Sequence, residues 1–186
     1  EGNVMRIFQG TTDLDITDLG AEQLKLLEKR FENINLDKIY TSPLIRAKKT
    51  ALAIKGNQQT EVEVLDGLCE LYGGVVEGRK FSEAFNSIDG LADIWKNSPQ
   101  DFAPQDGESM RHAYDRIFEA LKFIIKNNQG KTVACATHGG VIRCLICRLL
   151  YNDITKLKEV PWSENTAVAL IEAEDYENIK VKFFND

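Results

Sequence analysis

Two histidines occur in the chain, and one of them lies in a context that indicates chemistry. His138 follows the apolar run 133–136 and precedes Gly139 and Gly140, after which a helical pattern runs to Leu150. This order predicts an imidazole at the carboxyl end of a strand, beside the free N–H groups of a helix N-terminus. Such N–H groups attract anions, phosphate above all. A histidine that only packs or caps is the alternative that the sequence leaves open.

Two other predicted strand ends also carry side chains suited to phosphate chemistry. Arg46 lies on the first helical turn after the strand predicted for 37–41, where its guanidinium can fork onto phosphate oxygens. Glu70 follows the strand predicted for 61–65, in a mostly uncharged stretch, and burial there would raise the pKa of its carboxyl and make it a candidate general acid. Glu77 is the nearest competitor for that role. A solvated arginine and a surface carboxylate remain the plain alternatives.

The elements that must position these side chains alternate between strand and helix through most of the chain. This alternation predicts an α/β fold, a three-layer sandwich with a mostly parallel central sheet and helices on both faces. Ligands of such sheets bind beyond the carboxyl ends of the strands. We expect one domain over 1–186, with 71–107 forming a small helical and loop cap over the site. Helices are predicted over 17–31, 43–55, 80–98 (one or two), 108–128 and 139–150, and strands over 37–41, 61–65, 131–136, 166–172 and 179–184.

Composition excludes several classes of function. The 186 residues carry 23 Lys and Arg against 29 Asp and Glu, a net charge of −6, which argues against a general nucleic-acid or anionic-membrane binder. No apolar run is long enough for a transmembrane helix, and no secretory signal is visible, so we expect a cytoplasmic protein. The four cysteines are interpreted as reduced core residues, because a single C-x-x-C pair is weak support for zinc.

Taken together, four segments resemble the histidine phosphatase superfamily, also called phosphoglycerate-mutase-like. The family pattern S-x-L-x-R-A-x-x-T-A is matched over 42–51, and Thr137-His138-Gly139-Gly140 resembles its second-histidine motif. The resemblance covers nearly the whole chain and keeps its order. Further matches are Leu68-Cys69-Glu70 in the acid loop, Gly107-Glu108-Ser109 before a long helix, and Asn165-Thr166-Ala167-Val168 near the closing strand.

The resemblance implies two-step phosphoryl transfer through a covalent histidine. By this resemblance Arg46 and His138 would hold and neutralise the phosphoryl oxygens, and Glu70 would protonate the leaving oxygen and then activate water. It implies no metal and no cofactor, because cationic side chains neutralise the phosphate. The residues implied to bind or border the substrate are Asn3, Gln9, Gly10 and Gly139.

One family feature has no match in the sequence. The family begins with an apolar strand that ends in R-H-G, whose histidine attacks phosphorus, whereas this sequence starts at Glu1 without such a motif. His112 lies inside the long predicted helix and does not correspond to that nucleophile. Because loss of a central strand would expose the apolar faces that pack on it, we interpret the difference as truncation and expect the nucleophile upstream of Glu1.

The leading functional hypothesis is a phosphomonoesterase for small phosphorylated metabolites, similar in size to α-ribazole-phosphate phosphatases and broad-specificity phosphatases. A 2,3-bisphosphoglycerate-dependent phosphoglycerate mutase is the alternative enzyme, although the cap is short and weakly basic, with Arg79, Lys80 and Lys96 as its cations. A non-catalytic phospho-ligand-binding pseudoenzyme is the third hypothesis, if the chain truly starts at Glu1. We expect no nucleic-acid or membrane partner, and a homodimer remains an open alternative to a monomer.

Overall fold

The computed structural model describes residues 1–186 and alternates strands with helices as expected. Short 3₁₀ turns interrupt the loops, among them 66–68 and 74–76. The helices are α1 (Gly2–Met5), α2 (Asp18–Phe31), α3 (Ile45–Lys55), α4 (Phe81–Asn86), α5 (Leu91–Asn97), α6 (Met110–Asn127) and α7 (Gly139–Tyr151), and the strands are β1 (Lys38–Thr41), β2 (Val62–Val64), β3 (Val133–Ala136), β4 (Leu170–Ala173) and β5 (Ile179–Phe183).

The main sheet has three parallel strands in the order β2-β1-β3. Successive residues of β1 point to opposite faces, so Ile39 packs in one apolar cluster with residues of α2 and α3, and Tyr40 packs in another with residues of α6 and α7. The predicted α/β fold, a parallel sheet between helices, is confirmed.

One expectation about the sheet is corrected. Because the residues predicted as strand 131–136 are apolar at nearly every position, the sequence predicts a central strand covered on both faces, but β3 pairs only with β1 and lies at an edge, where Cys135 is exposed. The closing strands β4 and β5 form a separate antiparallel pair. Cys144 and Cys147 are buried and free, as predicted for core cysteines, whereas Cys69 is half-buried.

Local side-chain contacts explain where the helices near the site begin. Of the two residues that the sequence offers as the cap of α2, Thr17 and Asp18, the structure has Thr17, whose side chain accepts a hydrogen bond from the Gly20 N–H. The prediction that α3 starts at Pro43 is wrong: Leu44 is extended, and the helix begins at Ile45. The first N–H of α3 donates to the Asp13 carboxylate at 2.7 Å, so a loop residue replaces a local cap.

The cap segment 71–107 contains α4 and α5, the two short helices expected there. An aromatic cluster holds these helices against the rest of the chain, with Phe8, Phe85, Trp95 and Phe102 in mutual contact. No helix of the structure combines the length and apolarity needed to cross a bilayer. The assignment of 71–107 as a cap within one domain stays a prediction.

The packing of β1 gives a stability prediction. Ile39 is fully buried between β1 and the α2–α3 layer, so Ile39→Ala should lower the free energy of unfolding by about 2–5 kcal/mol. Val64 on neighbouring β2 is 46% exposed, and Val64→Ala is the matched control, expected to cost less than about 1 kcal/mol. Urea unfolding followed by circular dichroism measures both. Equal losses would contradict this account of the core.

Candidate active site

A large cavity is lined by all four residues of β3 and by the residues that follow its carboxyl end. Its volume is about 910 Å³, and its walls come from the inner faces of the helices and from β3 and β4. Arg46, Glu70 and His138 all line it, although they lie far apart in the sequence. The structure therefore brings the three predicted catalytic residues to one cavity.

His138 is the last residue before α7 and is 7% exposed. Its Nε2 lies 2.6 Å from the Ser42 Oγ. The two atoms share one hydrogen bond, whose donor depends on the tautomer of the ring, and the same Oγ accepts the Leu44 N–H at 3.4 Å. Burial, followed by the charges of Arg46 and Arg116, lowers the pKa of His138 to about 3, so the imidazole is neutral at physiological pH.

Glu70 lies against the N-terminus of α7. One carboxylate oxygen accepts the Gly140 N–H and the other accepts the Leu71 N–H, both at 3.0 Å. Burial raises the pKa of the carboxyl, while these two hydrogen bonds and the charges of Arg46 and Arg116 act in the opposite direction. A carboxyl group with a raised pKa at a cavity wall has the property that a general acid requires.

Gly140 is needed for this contact because Glu70 approaches it so closely. A Cβ at residue 140 would lie 2.6 Å from the Glu70 Oε1, so any other residue would displace the carboxylate. Gly140 therefore both leaves room for the Glu70 carboxylate and donates its N–H to it at the start of α7.

Glu77, the competing acid, is held in another way. Its Oε1 accepts hydrogen bonds from the Gly10 N–H and from the N–H and hydroxyl of Thr12, and its Oε2 accepts the Gly73 N–H. These four bonds join two loops and leave the carboxylate little freedom to exchange a proton with a ligand. Unlike Glu70, Glu77 does not line the cavity. The geometry therefore favours Glu70 of the two.

Arg46 is half-buried rather than a solvated surface arginine. Its guanidinium donates to three backbone carbonyls, those of Gln9, Gly10 and Thr12, at 3.4, 2.8 and 3.0 Å. The Nε–H and one Nη1 hydrogen have no acceptor in the chain. The loop thus fixes the guanidinium while leaving two donors for an anion.

Three of the four predicted substrate-binding residues line the cavity. Asn3 lines the cavity and donates to the Asn165 Oδ1 at 3.1 Å, and the Gln9 Nε2 donates to the Leu14 carbonyl at 3.5 Å. Gly139 also lines it, with an N–H that has no acceptor, whereas Gly10 does not line it. Their roles as ligands stay predictions.

Sequence reasoning missed three contacts at this site. Ser42 was part of the quoted motif, but nothing local indicated that its hydroxyl meets His138. Trp162 packs on Gly139, stacks on Trp95 at 5.8 Å between ring centroids, and lies under the Arg143 guanidinium. The third contact joins Glu108 to a half-buried arginine on α6 and is described below.

The arrangement places hydrogen-bond donors and a carboxyl group together. The N–H groups of Arg46 and Gly139 that have no acceptor are available to an anion, and the Glu70 carboxyl, with its raised pKa, lies against the same helix N-terminus. No group of three or more His, Cys, Asp or Glu side chains is arranged to hold a metal ion. A parallel α/β sheet with this set at its carboxyl edge defines a phosphoryl-binding α/β protein.

Comparison with known proteins identifies the family. The model of the histidine phosphatase superfamily (branch 1) matches residues 1–186, so the chain belongs to that superfamily, as its motifs predicted. Phosphoserine phosphatase 1 of Hydrogenobacter thermophilus is 30% identical over 98% of this chain and 86% of its own.

Solved structures agree with this assignment. YhfR of Bacillus stearothermophilus has a TM-score of 0.93 and 30% identity, covering 100% of this chain and 92% of its own. The alpha-ribazole phosphatase of Shigella flexneri has a TM-score of 0.89, with 100% of this chain and 91% of its own covered. Because the identity is only 20%, the similarity to this second structure shows the fold alone.

The low pKa of His138 predicts how stability depends on pH. Below about pH 6.5 the unfolded chain binds a proton at this residue and the folded chain does not until about pH 3, so stability falls as the pH drops through this window. His138→Gln removes that contribution. Between pH 7 and pH 5 the parent protein should lose roughly 1–2 kcal/mol more unfolding free energy than the variant, measured by urea titration. Parallel losses would show that His138 is not held neutral.

Proposed function

We propose that this protein is a phosphomonoesterase that hydrolyses small phosphorylated metabolites through a phosphohistidine intermediate. The observation that carries the proposal is the meeting of Arg46, Glu70, His138 and the free N-terminus of α7 at one end of the cavity. Membership of the histidine phosphatase superfamily and the 30% identity to a phosphoserine phosphatase support the hydrolytic reaction.

The nucleophile in this proposal is a histidine on a strand upstream of Glu1. The unpaired edges of β3 and β4 support this, because both face the same cavity and both carry backbone groups without partners. The cavity follows β3 from residues 129–131 at its start to Gly139 beyond its end, and its walls are largely apolar. An extended segment between these two edges would satisfy the backbone groups and deliver its last residues to His138.

The proposed reaction has two displacements at phosphorus. In the first, the histidine nitrogen forms a bond to phosphorus while the bond to the leaving oxygen breaks, and Glu70 gives its proton to that oxygen. In the second, ionised Glu70 takes a proton from water while the water oxygen forms a bond to phosphorus and the bond from phosphorus to the histidine nitrogen breaks, which releases phosphate and restores the histidine and the protonated acid. Arg46, neutral His138 and the Gly139 N–H would stabilise the charge on the phosphoryl oxygens in both steps.

The substrate-binding roles of the remaining residues follow from where their side chains lie. Asn3 would add a hydrogen bond to the phosphoryl group, and Gln9 and Gly10 would border the rest of the substrate. α-Ribazole phosphate is one member of the class that we propose to test, together with phosphoserine.

Hydrolysis is favoured over mutase chemistry by the charges of the cap. A phosphoglycerate mutase must hold a ligand that carries a second phosphate and a carboxylate, which requires additional cations near the site. None of Arg79, Lys80 and Lys96 lines the cavity, whereas Phe81, Trp95 and Trp162 do. These aromatic walls suit hydrolysis of a monoester better than retention of a bisphosphorylated intermediate.

Substitution of the acid provides the first functional test. In the full gene product, Glu70→Gln should lower kcat by about 100- to 10,000-fold, because the amide cannot donate a proton to the leaving oxygen, while the dissociation constant for inorganic phosphate changes little. Glu77→Gln is the comparison, since Glu77 is held by loop amides away from the cavity. Steady-state kinetics and phosphate titration measure the two effects. Unchanged turnover of Glu70→Gln would refute its role.

Trapping the intermediate tests the nucleophile. The full gene product, incubated with a ³²P-labelled monoester and quenched in alkali, should retain acid-labile label on a peptide that precedes Glu1, and EDTA should not reduce turnover. Binding of phosphate without turnover or label would instead support the pseudoenzyme. Faster interconversion of phosphoglycerates than hydrolysis would support the mutase.

A further inference from the structure

The loop that carries the acid, residues 67–72, lies mostly outside regular secondary structure, so side chains from other elements must satisfy its backbone. The carbonyls of Gly67 and Cys69 both accept hydrogen bonds from the Arg116 Nη1, at 2.8 and 3.0 Å. The Cys69 carbonyl belongs to the peptide bond that leads into Glu70. Arg116 therefore holds the backbone immediately before the proposed acid.

The carbonyl between these two is fixed from the opposite side. Thr137 Oγ1, at the end of β3, donates to the Leu68 carbonyl at 2.7 Å. Three consecutive carbonyls of the loop are thus bound by side chains of α6 and of the segment before His138. These three hydrogen bonds fix the position of the loop relative to both elements.

Arg116 is itself held rigidly. Its Nε and Nη2 donate to the two carboxylate oxygens of Glu108, each at 2.7 Å, in the bidentate geometry that gives the strongest Arg–carboxylate contacts. The two side chains are 20% and 11% exposed, so solvent screens the pair little. Arg116 lies on α6, an 18-residue helix whose other face is buried in the core.

Glu108 also binds the other end of the acid loop. Its backbone N–H donates to the Tyr72 carbonyl at 2.8 Å. The ion pair and its backbone contacts therefore connect both ends of 67–72 to the start of α6. Between these ends the carboxyl of Glu70 reaches Gly140 at the N-terminus of α7.

We propose that Arg116, braced by Glu108, is the positioning residue that sets the place of Glu70 for proton transfer to the leaving oxygen. The proposal rests on the proposed function, because it assigns Arg116 a role in that same reaction. Arg116 does not line the main cavity. It acts through the backbone of the acid loop, and we assign it no contact with substrate.

A misplaced Glu70 should slow some substrates more than others, because protonation by an acid matters most when the leaving group is a poor one. p-Nitrophenolate leaves without help from an acid, whereas phenolate of nearly the same size needs a proton as its P–O bond breaks. A misplaced acid therefore slows phenyl phosphate far more than p-nitrophenyl phosphate. General loss of structure would slow both equally.

The experiment compares kcat/KM for these two esters in the full gene product and in Arg116→Gln. We expect a loss of about 100-fold for phenyl phosphate and less than about 5-fold for p-nitrophenyl phosphate. Arg111→Gln is the matched control, because Arg111 lies on the same helix in an exposed ion pair with Asp101 and does not touch the acid loop. This control should leave both rates within about 2-fold.

Arg116→Lys separates position from charge and keeps the test valid if the Gln variant does not fold. Lysine retains the charge but cannot donate hydrogen bonds to both oxygens of Glu108 and to two carbonyls at once. The larger loss of kcat/KM on phenyl phosphate should therefore persist in this variant. Full activity of Arg116→Lys on phenyl phosphate, or equal losses on both esters in either variant, would overturn the proposal.

Amide hydrogen exchange distinguishes failure of this proposal from failure of the proposed function. The N–H groups of Leu71 and Gly140 donate to Glu70, so both should exchange faster in Arg116→Gln while the amides of β1 remain protected. If the unsubstituted protein hydrolyses neither ester, the proposed function fails, and exchange alone decides whether Arg116 positions Glu70. Unchanged exchange at both amides would refute the positioning role.

Discussion

A buried carboxylate is the constraint on which the rest of the site depends. Removing the carboxyl of Glu70 from water destabilises its charged form, and the group therefore needs donors that are fixed in place. The N–H groups of Leu71 and Gly140 supply them, and only a glycine at 140 leaves room for the approach. Burial raises the pKa of the Glu70 carboxyl, while these two donors and the charges of Arg46 and Arg116 act in the opposite direction, and this opposition is what the proposed acid and base roles depend on.

The same constraint explains why the loops are fixed by long charged side chains. The backbone of these loops has few partners in regular secondary structure, so each loop depends on side chains that bond several of its backbone groups. Glu77 accepts hydrogen bonds from N–H groups of the 10–12 loop, and Arg46 donates to carbonyls of the same loop. Arg116 donates to carbonyls of the acid loop. Each contact is partly buried, so losing one partner would leave polar groups without solvent or protein to satisfy them. The loops therefore occupy one position each, as proton transfer requires.

The sequence predicts the elements well and their long-range partners poorly. The extents of α2 and α6 follow from sequence spacing, because helical periodicity is local. The prediction that β3 is a central strand was wrong, because a strand that is apolar at nearly every residue is expected to be covered on both faces, whereas β3 pairs only with β1. The bond from Arg116 to Cys69 spans 47 residues, and no local rule connects them. Family motifs indicated Arg46, Glu70 and His138, which line one cavity, but not the side chains that hold them.

The free edge of β3 bears on chemistry as well as on folding. Edge strands in stable proteins are short, charged or covered, whereas β3 presents small apolar residues, with Cys135 exposed into the cavity. The opposite wall contains β4, a second strand with one unpaired edge, so the geometry accepts an extended segment between the two more readily than it accepts a compact ligand. Such a segment would end beside His138 and the α7 N-terminus, where a phosphoryl group finds its donors. In the proposed function, the segment that pairs with these two edges would also carry the nucleophile, so one strand would serve both the sheet and the chemistry.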